Sequence, residues 1–288
     1  MFKSVKDIVW VFDAEWVPDP VTGRAVYDLP QEQSNEAVMA EMWRRGGATD
    51  ENPRPYLKTI LCRVVSISVM ARYVEEGEVR LQLRSLPAGA DGAATEAQII
   101  GRFLDGVGKQ KPQLVGFNSE AADLRILLQR ALANGIQAAD FARRPDKPWE
   151  GVDYFAGGDW HVDLIDVIGG RGRARPSLHE VATASGIPGK FFSEGGDVAD
   201  LWTAGELDRI VAYNEFDAVT TYLVWLRLAH FGGFFSTAEY DREQQRVEEL
   251  LGAEGARPGR SHLRAYLAEW ERVRGSAESV PDQMRLSF

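Results

Sequence analysis

Short apolar runs alternate with amphipathic stretches along this chain. "DIVWVFDAEW" packs Val, Ile and aromatics into one short run and predicts a buried strand. "VPDPVTG" then reads as a turn cluster. "QEQSNEAVMAEMWRRGG" predicts a helix stopped by Gly46 and Gly47, and "ENPRPY" has too much proline for regular structure. Residues 17–58 therefore read as an insertion after the first strand. "TILCRVVSISVMARYV", the turn "EEGE" and "VRLQLRSL" predict a hairpin. "ATEAQIIGRFLDGVG" has helical spacing, "PQLVGFN" is another short buried strand, and "SEAADLRILLQRALANGI" is an amphipathic helix ending at Gly135. Residues 136–160 read as a loop. Short helices are expected at "VDLIDVI" and "PSLHEVATASG", with "GGRGRARPS" between them. A long helix spans "AGELDRIVAYNEFDAVTTYLVWLRLAHF". Beyond about residue 236, charged helical segments are split by "GAEGARPGRS", which reads as a flexible linker. The order of strands and helices suits an α/β sandwich with a mixed sheet. Residues 1–235 form the expected main domain, and 236–288 a helical extension and tail.

Composition narrows the picture only a little. The chain has 288 residues, 44 % hydrophobic and 26 % charged, which is enough for a sizeable core. The net charge of −10 argues against nucleic-acid binding by bulk electrostatics. Any such contact must be local or carried by metal ions. The single cysteine, Cys62, excludes an intramolecular disulfide, suits a reducing cytoplasm and reads as a small apolar strand residue. "MFKSVKDIVWVF" reaches Asp13 without a long apolar run, so no signal peptide is expected. No apolar stretch is long enough to span a bilayer.

The chemistry sits in carboxylates. Asp13 and Glu15 are two apart in a strand and so project from one face, with Ala14 on the other. The same spacing recurs at Glu76/Glu78, Asp241/Glu243 and Glu269/Glu271, where a solvated face explains it. At Asp13 and Glu15 the strand is buried, and buried acids are costly unless a cation meets them. Asp123 follows a short strand and opens a helix, either as a favourable N-terminal charge or as a ligand. Tyr213 and Asp217 are four apart on one helical face, either a half-exposed pair or part of a site. His/Cys clusters are absent, which argues against zinc.

In this order, an acid-x-acid strand, an acid after a later strand and Tyr-x3-Asp on a late helix together resemble the DEDD family of 3′→5′ exonucleases, in its tyrosine branch. The likeness is to bacterial predicted exonucleases related to the exonuclease domain of family B DNA polymerases. "HVDLIDVI", "GIPGK" and "YNEFDAVTTYLVWLRL" add to it, and it covers roughly residues 7–232. The resemblance implies a ribonuclease H-like three-layer sandwich with a central mixed sheet. It implies hydrolysis of single-stranded DNA from the 3′ end by two Mg²⁺ or Mn²⁺ ions, with RNA as the nearest alternative and a non-catalytic binding module as the reading of another class. Asp13 would bridge both ions, Glu15 and Asp217 would complete one site, and Asp123 would hold the second ion. Tyr213 would orient the attacking water, since a phenol with a pKa near about 10 is a poor base at neutral pH. Two divalent ions about 3.5–4 Å apart supply the charge neutralisation that phosphodiester hydrolysis needs, and hard oxygen ligands suit Mg²⁺. "NSEAAD" keeps Asn118 and Asp123 of the family's middle motif but has Ser119 for Gly and Ala122 for Phe. Losing that ring weakens base stacking, worth roughly 1–3 kcal/mol per base. Asn214 stands where the family often has Cys, with no chemical consequence expected.

Other features invite partner readings. Arg171, Arg173 and Arg175 in "GGRGRARPS" either contact phosphates or form a solvated loop, and Lys190 either touches the substrate backbone or is a surface lysine. His161 and Asp163 are expected to order a loop or cap a helix. At the end of the chain, Gln283, Leu286 and Phe288 in "QMRLSF" resemble the short peptide by which bacterial proteins bind the replicative sliding clamp; a frayed tail is the alternative.

Overall fold

The first strand, β1 (Ile8–Pro18), does not run into a loose turn. Asp19 accepts a hydrogen bond from the Val21 N–H (3.2 Å) and caps α1 (Pro20–Tyr27), with proline in the first turn. "VPDPVTG" is thus a helix start rather than a turn cluster: proline at the first helical position loses no hydrogen bond. The whole chain is seen here as a computed structural model, which describes residues 2–88, 94–147, 149–156, 158–169, 174–189 and 198–278. Ser34 caps α2 (Asn35–Arg45), which ends at Gly46. The proline-containing stretch has no regular structure, as expected, and a 3₁₀ turn at Thr59–Leu61 leads into β2 (Cys62–Glu75) and β3 (Glu78–Leu86).

A Thr95/Gln98 capping box starts α3 (Glu96–Gln110), followed by β4 (Gln113–Gly116) and α4 (Asp123–Ala133). Next come a short α5 (Ala139–Ala142), β5 (His161–Asp163), α6 (Leu164–Gly169), α7 (Leu178–Ala184) and α8 (Val198–Thr203). The long helix α9 (Leu207–Phe231) precedes α10 (Thr237–Glu254) and α11 (His262–Glu278). The expected helix at "VDLIDVI" begins later than its pattern suggests. Residues 161–163 pair in parallel with 114–116, because a short apolar run takes whichever partner tertiary structure offers.

The sheet order is β3-β2-β1-β4-β5. β1, β2 and β3 pair antiparallel, while β1/β4 and β4/β5 are parallel. This order, with helices on both faces, is that of a ribonuclease H-like sandwich. β1 lies at the centre and sorts its side chains by parity. Val9 and Val11 join the core under α9. Phe12 and Ala14 join the core under α3 and α4. Asp13 and Glu15 therefore emerge on the α9 side. A register shift between Glu15 and Trp16 against β2 marks a bulge at Val65 of β2, beyond the continuous register that holds both acids.

Two buried ion networks lock the layers. Arg130 of α4 donates to Glu96 of α3 (2.7 and 2.8 Å) and to Asp19 at the start of α1 (2.8 Å), as well as to the Thr22 hydroxyl (3.1 Å) and the Ile60 carbonyl (3.2 Å). On the other face Arg72 of β2 donates to Glu243 of α10 (2.8 and 2.9 Å). The Tyr222 hydroxyl also donates to Glu243 (3.2 Å).

α10 and α11 contribute Leu251, Leu263, Tyr266 and Trp270 to the same core as Val9 and Val11. The segment read as a flexible linker is a fixed connection. Arg260 pairs with both Glu215 and Glu254, and the space a side chain at Gly255 would need is filled by Arg264 and the Leu251 carbonyl. Gly255 there serves close packing, which composition alone does not distinguish from flexibility. Among the described residues, no helix is long and apolar enough to cross a membrane.

Candidate active site

Where β1 passes beneath α9, Asp13 and Glu15 meet Asp217. Ligand oxygens from these three carboxylates lie within 4.8 Å of one another, and all three residues are half-buried. Strand parity brings the first two to this face. Helical geometry places Asp217 one turn beyond Tyr213, whose hydroxyl hydrogen-bonds to it.

Asn214 has a clear role, contrary to the sequence expectation. Its side-chain amide donates to Asp13 Oδ2 (2.6 Å), and its carbonyl accepts from the Ser66 hydroxyl of β2 (2.9 Å). Asn214 is fully buried, so the amide cannot turn to water and instead fixes the Asp13 carboxylate. The sequence signal was present: a polar residue on the helix's inward face, next to Tyr213. Outer partners of metal-binding carboxylates typically matter about 10–100-fold. Asn214→Ala should therefore weaken divalent-cation binding at these acids by a factor in that range, read as a smaller Mn²⁺-induced rise in melting temperature, while leaving the secondary structure seen by circular dichroism intact. A wild-type Mn²⁺ response in this variant would remove the assigned role.

The fourth acid arrives by another route. β4 ends at Gly116, where a Cβ would sit 2.4 Å from that of Ser119, so the chain turns back on itself. Asn118 takes a left-handed φ of 62°. Asp163 holds this turn by accepting from the N–H groups of Asn118 (2.7 Å) and Glu120 (2.9 Å). The Ser119 hydroxyl meets His161 Nε2 (2.9 Å). His161 and Asp163 thus order a loop, as their sequence context suggested. The loop delivers Asp123 as the first residue of α4, buried, with Oδ1 accepting from the Ala14 N–H (2.9 Å). Asp123 is thereby tied to the residue between the two β1 acids, beside the convergent trio rather than within it.

Burial and like-charge repulsion dominate the electrostatics of these acids. Burial, followed by the charges of Asp123, Asp217 and Glu15, raises the Asp13 carboxyl well above its ordinary value despite the Asn214 hydrogen bond. Burial also raises Asp123 to about 7, against the Ala14 hydrogen bond and helped by Asp163 and Asp217. Burial and then Asp217 raise the Tyr213 phenol, so it stays protonated at neutral pH. The donors are hard carboxylate oxygens, which suit Mg²⁺ or Mn²⁺. An acid whose folded pKa is raised stabilises the folded state only while protonated. The metal-free protein should therefore lose stability as pH rises from about 4 through 7, and a divalent cation should restore it. The rise in melting temperature on adding Mn²⁺ is expected to be larger at pH 8 than at pH 5.5. An equal rise at both pH values would contradict the site.

These groups open onto a cleft of about 1070 Å³ that also includes Asn118, Ala122 and Cys62. Cys62 is buried, and burial pushes its thiol up to about 12, in keeping with an inert strand residue. Arg175 pairs with Asp166 and is not among the cleft residues. Arg171, Arg173 and Lys190, and Gln283, Leu286 and Phe288 of the tail, lie outside the described residues.

The sheet order and the acid cluster between β1 and α9 define a ribonuclease H-like domain with an acidic site suited to divalent cations. A family model described as a predicted 3′-5′ exonuclease related to the exonuclease domain of PolB matches residues 54–270. The chain belongs to that family. The match holds Asp123, Tyr213 and Asp217, while Asp13 and Glu15 precede it and join them through the fold. No curated protein matches the chain. A similar solved structure is the family B DNA polymerase from the hyperthermophilic archaeon Pyrobaculum calidifontis, at 18 % identity with a TM-score of 0.42. That likeness covers 88 % of this chain and 30 % of the polymerase, so the chain spans under a third of its length.

Proposed function

We propose that the protein is a metal-dependent 3′→5′ exonuclease that removes nucleotides from the 3′ end of single-stranded DNA. The observation that carries this is the convergence of Asp13, Glu15 and Asp217, with Tyr213 hydrogen-bonded at its edge, inside one cleft. Asp13, Glu15 and Asp217 would hold one Mg²⁺ or Mn²⁺ ion, and Asp13 with Asp123 a second; when bound, the pair neutralises phosphoryl oxygens and acidifies water.

The chain's own groups set the geometry of hydrolysis. Tyr213 stays a phenol. With its O–H given to Asp217, its oxygen lone pairs accept from the attacking water and orient it without taking its proton. Asn214 and Ser66 hold Asp13 in place. Water adds its oxygen to phosphorus and releases a proton to solvent, the bond to the 3′ oxygen of the preceding nucleotide breaks and that oxygen takes up a proton from solvent, and a nucleoside 5′-monophosphate leaves. Carboxylates clustered in a cleft of an acidic protein repel phosphate until cations invert the local field, which accounts for a nucleic-acid enzyme with a net charge of −10.

The test incubates 5′-labelled single-stranded DNA and RNA with the protein in Mg²⁺, Mn²⁺ or chelator. A metal-dependent ladder shortening from the 3′ end of DNA is the expected result. A ladder on RNA alone would reassign the polymer, and intact strands under every metal condition would remove the enzymatic reading.

A further inference from the structure

A nuclease cleft must hold the base next to the cut as well as the phosphate, and in this chain the middle motif offers only Ala122 there. Most aromatic residues bordering the cleft have their faces engaged. The Trp43 ring lies under the Arg54 guanidinium at 5.0 Å. Phe216 stacks on Tyr266 at 5.5 Å. Phe117 and Trp16 pack against the two cores, and Tyr213 is committed to Asp217. Tyr56 differs: it borders the same cleft and is 83 % exposed.

Its exposure is not that of a loose loop. On one side, Arg54 forms a two-pronged ion pair with Asp200 of α8 (2.6 and 2.7 Å). On the other, Leu57 is buried in the core and fills the space above Gly46, where a Cβ would lie 2.5 Å from Leu57 Cδ2. Pro53 and Pro55 restrict the backbone around it. An exposed ring between two anchors is preorganised and loses little freedom on binding.

We infer that Tyr56, carried by the segment between α2 and β2, is the stacking platform for the 3′-terminal nucleobase of the strand held at the acid cluster. This rests on the nuclease reading above. Every base has a π-face, so the platform would accept any of them. The terminal nucleotide would thus be gripped from the insertion rather than from the loop before α4.

The test measures binding and single-turnover cleavage of two 5′-labelled single strands, one with a normal 3′-terminal base and one abasic there. Wild type, Tyr56→Ala and Tyr56→Phe are compared, with melting temperatures as a folding control. Tyr56→Ala should weaken binding of the normal strand about tenfold but leave the abasic strand unchanged. Tyr56→Phe should retain binding of both. If wild type shortens the normal strand and Tyr56→Ala equals it, the platform is overturned while the nuclease reading stands. An equal loss on both strands also overturns it, since a structural role does not depend on the base. A wild type that shortens neither strand removes the nuclease reading and the platform with it.

Discussion

Asp13→Asn should reduce strand shortening on the order of a thousandfold, the scale of losing a principal electrostatic group of an active site, without harming the fold. Asp13 faces Glu15 and Asp217 within ligand distance, and its raised pKa reports how poorly burial and like charges tolerate its ionised form. Replacing the carboxylate by an amide removes a cation ligand and that repulsion together. The amide oxygen still accepts from Asn214. In chelator at pH 8 the variant should therefore melt at or above the wild-type temperature, since the acid it lacks opposed folding once ionised. Its melting temperature should respond much less to Mn²⁺. Together, activity assays and thermal melts with and without Mn²⁺ distinguish a ligand from a structural residue. A stable variant with normal turnover would take Asp13 out of the site.

Arg130→Met has the opposite profile. Arg130 is buried, as are Asp19 and Glu96, and removing it leaves two carboxylates facing each other without their cation. Breaking a buried pair in this way costs about 3–5 kcal/mol, or a fall of roughly 5–10 °C in melting temperature for a chain of this size. Burial acts to raise the Asp19 pKa, but the Thr22 hydroxyl and Arg130 outweigh it and the net shift is downward. A depressed acid contributes stability above its unfolded pKa, about 3.9, and loses it as pH falls through the folded value. The deficit of Arg130→Met should therefore narrow below pH 4. The network ties the α1 N-terminus, α3 and α4 together, so remaining activity should fall only as far as the folded fraction does. Denaturation midpoints at pH 7 and pH 3.5 test this, and an unchanged midpoint at pH 7 would show the network to be energetically neutral.

The particular elements differ in how legible they were. "DIVWVFDAEW" announced β1 and the shared face of its acids because period-two alternation is a local property. α9 was equally plain, since a 25-residue helix repeats its pattern many times. β5 was not, because three residues carry no period and gain their strand geometry only from β4. α1 was missed because Asp19-Pro20 serves a turn and a helix start equally well. Asn214 was set aside because its partners are Asp13 and Ser66, far away in sequence. The "GAEGARPGRS" composition misled because a glycine needed for close packing against Arg264 looks the same as one in a mobile linker.

The sequence by itself determined which side chains could hold a hard cation, their pairing by parity on β1 and their helical spacing at Tyr213 and Asp217. These follow from the geometry of single strands and helices. Only the tertiary structure decided that Asp217 closes on Asp13 and Glu15, that Asp123 is tied to the Ala14 N–H, and that Tyr56 overlooks the cleft. Those meetings depend on sheet order, on the placement of α9 over β1 and on anchors such as Arg54 and Asp200. They are contacts between distant segments, and they become definite only when the layers pack.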